Sequence, residues 1–336
     1  MSGYQELLES GNLAIADMAM KCEQVLSSHE RALVSISGGA DSDVMMDLCE
    51  RVREHVGCDV DYVWFNTGME YDATKRHLEY LEERYGTDIR RERSVKTIPV
   101  CAREKGQPFV SKMTSQHMGI LQRHDFQWED KPLAILRLDY PDCPISSLKW
   151  WTDAYARSHG GGYTSYCISR NKWLKEFVTE NPPEFRISAD CCKYAKKETK
   201  RELLKTGEWD VELVGIRQAE GGVRSLHGRC FIAGGAYRGV DAYYPLFWLT
   251  DAAKQKYVRR FGIRHSDCYE TWGFTRTGCV GCPFNRNVFS DIETVDAFEP
   301  NMAKAARTVF EDAYEYTRRY REFKRDMEQN GQLRIF

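Results

Sequence analysis

The stretch SGGADS, Ser37 to Ser42, puts two adjacent glycines, two hydroxyls and a carboxylate between the apolar run ALVSI and a helix-like pattern. A loop that leaves the carboxyl end of a strand and enters a helix aims free backbone N–H groups and the positive helix end at an anion. Gly38 and Gly39 allow unusual backbone angles and close approach, and Ser37 and Ser42 add hydroxyl donors. The chemistry this composition suits is the holding of a phosphate-like group. It is not a Walker A loop, because no Gly-Lys-Ser/Thr follows at the right spacing, and the third glycine of a dinucleotide fingerprint is missing.

Four cysteines form the second set. Cys191 and Cys192 are adjacent in ADCCKYAKKE, and Cys279 and Cys282 form a C-x-x-C in RTGCVGCPF, with Cys279 87 positions after Cys192. The chain has twelve cysteines and a start, MSGYQELLES, without a basic-then-apolar leader pattern. A cytoplasmic location is expected, where cysteines are free, metal-bound or redox-active rather than structural disulfides. Cys22, Cys49 and Cys58 fall in apolar-periodic segments and read as small core residues.

Several elements must position these residues. The 336 residues are 42% apolar and 29% charged, with no apolar run long enough to cross a membrane. The net charge of −2 gives no bulk argument for nucleic acid, so any such partner needs a local basic patch. Residues 5–28 read as a helix, RALVSI as a strand, and the segment from Asp43 as a helix. CDVDYVWF reads as a second strand, Ala73 to Tyr85 as a helix, TDIRRERSV as a third strand and VELVGIR as a fourth. Strand-loop-helix at this spacing predicts an α/β fold with a doubly wound, mainly parallel sheet. The expected organisation is 1–100 and 186–290 as two parts of the nucleotide-binding domain, 101–185 as a mainly helical insertion, and 291–336 as a helical tail. The insertion's Trp128, Trp150, Trp151, Tyr155 and Trp173 read as core rather than as a base-stacking platform. The tail's Arg318, Arg319, Arg321, Lys324 and Arg325 read as a solvated face.

SGGADS matches the S-G-G-x-D-S pattern of the PP-loop ATP pyrophosphatase (adenine nucleotide alpha-hydrolase) superfamily. Three further blocks resemble its phosphoadenosine phosphosulfate (PAPS) reductase branch, in that branch's order: WFNTGMEYDATKRHLEYL, VGIRQAEGGVRS and YYPLFWLTDA. The resemblance covers roughly residues 31–95 and 186–285. It implies an adenine nucleotide across the sheet edge, with its phosphate or sulfate end in the loop formed by Ser37, Gly38, Gly39, Ala40, Asp41 and Ser42. Asn66, Thr67 and Gly68 would sit beside the nucleotide. Arg217 and Arg224 would offer guanidinium forks to phosphate or sulfate. Asp41, Arg217 and Arg224 are thus the candidate catalytic residues, with a Mg²⁺ ion expected near Asp41. Asn66 stands where the family usually has Asp, and Gln218 where a second Arg is common.

The cysteine pattern resembles that which holds a [4Fe–4S] cluster in adenylylsulfate reductases, and implies Cys191, Cys192, Cys279 and Cys282 as ligands. Zinc would accept the same four thiolates, although a tandem pair is awkward for a tetrahedral knuckle. Redox thiols are the third alternative, and Cys268 is a substitute ligand to consider. Lys193, Lys196 and Lys197 would favour thiolate character and face the nucleotide, or else form a solvated helix face. Family reductases carry a catalytic cysteine near the C-terminus, and Pro283 to Phe336 contains none.

Three functions follow. The first is an enzyme that cleaves ATP between the α and β phosphates, adenylylates an acceptor (nucleic acid among the options) and transfers sulfur with the help of the cluster and a sulfur-donor protein. The second is a reductase of adenylylsulfate or PAPS that draws electrons from thioredoxin. The third is a non-catalytic regulatory protein that binds nucleotide and cluster.

Overall fold

The computed structural model of the protein describes residues 2–221 and 228–333. The chain divides into two compact units, one built from residues 1–95 and 195–279, the other from 96–194 and 280–336.

The first unit holds a six-stranded sheet. Its strands are β1 (Arg31–Ile36), β2 (Asp59–Asn66), β3 (Ile89–Arg93), β4 (Val211–Val214), β5 (Phe231–Tyr237) and β6 (Val240–Tyr243), in the order β3-β2-β1-β4-β6-β5. β1 pairs in parallel with β2 and β4, β2 with β3, and β4 with β6; β5 alone runs antiparallel, against β6. This is the expected doubly wound sheet. Its order reverses at β1, so the loops that leave β1 and β4 open onto the crevice where such sheets bind ligands. In register, Ser35 of β1 lies opposite Val214 of β4, which brings the residues after each strand together.

Apolar residues alternate poorly along β1 and β2 because both faces are covered, as parallel strands require. Ala32, Leu33, Val34, Tyr62 and Val63 are all buried. The helix Ala40–Arg53 is buried on most of its surface, including Val44, Met45, Met46, Leu48 and Cys49. It starts three residues earlier than Asp43, because Gly39 already has the extended angles of an N-cap. The helix expected over 5–28 is two, Gly3–Leu8 and Leu13–Ser27. The break comes at Asn12, whose Oδ1 accepts from Ala14 N at 3.0 Å and caps the second helix. β4 ends at Val214, earlier than VELVGIR suggests, which frees Gly215 to Arg217 to leave the sheet.

Among its described residues the second unit is helical. Its core joins Phe109, Met118, Leu121, Trp128, Trp150, Trp151 and Phe177 with Tyr316 and Tyr320 of the helix Glu311–Leu333. Gln107 ties the two stretches: its Nε2 donates to Asp312 Oδ2 at 2.8 Å and its Oε1 accepts from Ala313 N at 2.9 Å. Residues 101–185 and the C-terminal helix therefore share one core, although they are far apart in sequence. Trp151 Nε1 donates to Glu129 O at 2.8 Å, which satisfies its one polar atom inside that core. Arg318, Arg319, Arg321 and Arg325 are exposed, and Arg318 and Arg321 both lie 4.7 Å from the Phe289 ring centroid.

Candidate functional site

Gly38 has φ +68°, and a Cβ there would stand 2.5 Å from Thr74 Cγ2. Only glycine fits this corner, which turns the chain from β1 into the helix. Ser37 Oγ accepts from Gly39 N at 3.3 Å and donates to Ser42 Oγ at 3.3 Å, and Ser42 Oγ donates to Gly39 O at 2.7 Å. The two hydroxyls thus converge on one loop whose helix end is positive. Tyr269 closes one side. Its hydroxyl accepts from Ala40 N and Thr277 N and is 2.9 Å from Thr277 Oγ1, and burial raises its pKa.

Beside the loop lies a charged cluster. Arg217 Nε donates to Asp41 Oδ1 at 2.9 Å, and Arg217 Nη1 to Asp251 Oδ1 at 2.8 Å and Leu249 O at 3.2 Å. Lys254 Nζ is 2.5 Å from the same Asp41 oxygen. Arg217 is buried, which opposes its charge, yet its bonds to Asp251 and Asp41 outweigh this and raise its pKa further. Two cations already occupy Asp41 Oδ1, so that oxygen does not fit a magnesium ion as the residues stand. The guanidinium fork expected to face an anion is instead held by two carboxylates and a carbonyl. Arg224 lies outside the described residues.

Beneath the loop, Asp43 is fully buried between two imidazoles. His77 Nε2 is 3.0 Å from its Oδ1 and His265 Nδ1 is 2.7 Å from its Oδ2. Burial pushes this carboxyl up, but the bonds from His265 and His77 prevail and leave its pKa lowered. The contacts fix the entry to the helix Asp267–Glu270, which carries Tyr269, against the loop.

Asn66 is the last residue of β2, and Thr67 and Gly68 follow it. Asn66 Oδ1 accepts from Gly68 N at 3.0 Å. Thr67 Oγ1 is 4.0 Å from Cys279 Sγ, so the first cysteine of the C-x-x-C stands at the end of β2. Cys279 is the last residue of the first unit, and Cys191, Cys192 and Cys282 belong to the second. The four are right by type for an iron–sulfur cluster, yet among the described residues no three His, Cys, Asp or Glu side chains are grouped to hold a metal.

Sequence reading passed over Lys254, Tyr269, Thr277, His77 and His265. Each is a single polar residue in an amphipathic or irregular segment, and only the fold reveals its neighbour. Glu70 was legible within NTGMEY but carried no signal of its own.

The sheet order and the loop at its switch point define the class, a doubly wound α/β domain. More particularly, residues 31–113 match the family model described as Phosphoadenosine phosphosulfate reductase domain. Over that stretch, which contains Ser37–Ser42 and Asn66–Gly68 and ends before the four cysteines, the chain is similar to that family. No curated protein matches the sequence. Solved structures similar to it include the phosphoadenylyl-sulfate (PAPS) reductase of Candida auris in a phosphate complex. It is 11% identical with a TM-score of 0.41, covering 83% of this chain and 88% of that one. The U34-tRNA thiolase NcsA of Methanococcus maripaludis, with its [4Fe-4S] cluster, is 13% identical with a TM-score of 0.39, covering 91% and 78%. The NH3-dependent NAD synthetase of Campylobacter jejuni subsp. jejuni NCTC 11168, in complex with the nitrate ion, is 10% identical with a TM-score of 0.33, covering 93% and 96%. No helix among the described residues is long and apolar enough to cross a membrane.

Proposed function

We propose that this chain is a PP-loop enzyme that binds ATP and cleaves it between the α and β phosphates. An acceptor oxygen attacks the α phosphorus, the bond from that phosphorus to the bridging oxygen breaks, and pyrophosphate leaves into the Ser37–Ser42 loop. A sulfide-level donor then displaces AMP from the adenylylated acceptor, which transfers sulfur without net oxidation. The observation that carries this reading is the loop at the switch point with Arg217, Lys254 and Asp41 against it. Loop hydroxyls and the helix end stabilise the leaving charge, and Asp41 holds the two cations at its side. Asn66, Thr67 and Gly68 are the proposed contacts to the nucleoside end. The pattern of Cys191, Cys192, Cys279 and Cys282 supports a [4Fe–4S] cluster, which when bound would supply the sulfur-handling chemistry. The exposed arginines of the C-terminal helix make a nucleic acid an acceptor to test first.

Incubating the protein with labelled ATP and candidate acceptors should release AMP and pyrophosphate; ATP hydrolysed to ADP, or left untouched, defeats the proposal. The match at residues 31–113 favours a second reading, reduction of adenylylsulfate or PAPS. Sulfite released with thioredoxin present would establish it in place of the first.

A further inference from the structure

At the end of β2 the chain builds an anion site and fills it itself. Three consecutive backbone N–H groups point at one carboxylate. Thr67 N donates to both Glu70 oxygens at 3.1 Å, Gly68 N to Oε2 at 3.0 Å and Met69 N to Oε2 at 3.2 Å. Thr67 Oγ1 donates to Glu70 Oε1 as well. Gly68, at φ +84°, supplies the left-handed turn that lets successive N–H groups converge. Glu70 is buried and its two oxygens serve these bonds only as acceptors, so the bonds are shielded from water.

Such a concavity, left open, would take a phosphate or sulfate. Closed by Glu70, it cannot, and the segment is left to meet a ligand through other groups. Asn66 Oδ1 is already committed to Gly68 N, so its amide NH₂ is the end turned elsewhere. Thr67, whose hydroxyl proton goes to Glu70, is fixed with its oxygen against Cys279 Sγ. One buried carboxylate therefore sets the pose of Asn66, Thr67 and Gly68 together.

We propose that Glu70 is a positioning residue: an internal anion that fills the Thr67–Met69 nest, fixes Asn66 and Thr67 for the nucleoside end of the ligand, and confines phosphate binding to the Ser37–Ser42 loop. This rests on the ATP-binding reading above. A nearby carboxylate that only stabilised the fold would be replaceable by any change that restored stability. A nest filler has a sharper signature, because a small free carboxylate enters the hole its removal leaves.

The test is Glu70→Ala with and without sodium formate, beside Glu70→Gln, reading ATP affinity by calorimetry and the melting temperature. Glu70→Ala should bind ATP at least about tenfold more weakly. Formate should restore most of that loss, and should raise the melting temperature of Glu70→Ala by more than that of the wild type. Glu70→Gln, which turns an NH₂ toward backbone donors, should fall between. Wild-type ATP affinity in Glu70→Ala, or a loss that formate changes in neither readout, overturns the proposal. Wild-type protein that binds no adenine nucleotide would overturn the function reading and, with it, the positioning role. The formate response of the melting temperature would still show whether the nest is filled as described.

Discussion

Arg217 and Asp41, 176 positions apart in sequence, are joined by a 2.9 Å bond from Nε to Oδ1 at the point where the strand order reverses. Asp41 opens the helix after β1 and Arg217 follows β4, so the pairing of those two parallel strands brings them together. The planar guanidinium reaches Asp41, Asp251 and the Leu249 carbonyl at once, which a lysine cannot do. Arg217→Lys should keep the charge and lose the fork, raising the ATP dissociation constant roughly 10- to 100-fold for a loss of about 1.5–3 kcal/mol. Calorimetric titration with ATP checks it; an unchanged constant would remove Arg217 from the site.

Gly38 should resist substitution for two separable reasons. Alanine at φ +68° costs about 1–2 kcal/mol, and its Cβ would press on Thr74 Cγ2. Gly38→Ala should therefore lose about 2–4 kcal/mol of stability. Thr74→Ser removes the methyl and should return only the packing share. Urea unfolding of the single and double variants measures both parts, and full recovery in the double variant would deny the backbone share.

Much of this site was legible in the chain because backbone loops are written in local sequence. Glycines at 38 and 39 and serines at 37 and 42 marked the loop between β1 and its helix, and the strand-helix spacing around them declared the sheet. What was hidden depends on contacts between distant segments. Lys254 looks like any lysine of an amphipathic helix until the fold places it on Asp41. Arg217 read as an anion fork, and only the sheet order shows that Asp41 and Asp251 already hold it. The break at Asn12 was obscured because apolar periodicity continues on both sides of it. The aromatic residues of 101–185 announced a core, but not that Tyr316 and Tyr320 complete it.

The cysteine pattern makes a spectroscopic prediction. Anaerobically purified protein should absorb near about 400 nm and contain iron and sulfide. Serine at Cys191, Cys192, Cys279 or Cys282 should remove the band, whereas Cys230→Ser should keep it. Colourless protein that contains zinc would replace the cluster with a zinc site, and colourless, metal-free protein would leave redox thiols.

His117 is buried in the second unit, its Nδ1 3.1 Å from Ser147 Oγ and its ring stacked on Trp150 at 5.2 Å. Burial lowers its pKa, so the folded state binds this proton less well than the unfolded state. Stability from this group is full above the unfolded value of about 6.5 and declines as pH falls below it. His117→Phe keeps the stack and should flatten the stability profile between about pH 7 and 5. Thermal melts across that window decide the matter, and parallel wild-type and variant curves would count against it.

Asp43 should show a pH dependence of the same sign, at a more acid pH. Burial works against its charge, but His265 and His77 hold it ionised and its pKa is lowered. The stability it contributes is present above the unfolded value of about 3.9 and is lost as pH falls through the lowered folded value. Asp43→Asn leaves one imidazole facing an amide NH₂ and should cost about 2–4 kcal/mol at neutral pH. The gap between wild type and variant should then close below about pH 4, because only the wild type has a charge to lose. Urea unfolding at stepped pH gives the gap directly; a gap that stays constant to about pH 3 would mean that the carboxyl titrates alike in the folded and unfolded protein, against the lowered value. Because His265 leads into the segment that carries Tyr269, the same variant should weaken ATP binding at neutral pH even where the protein remains folded.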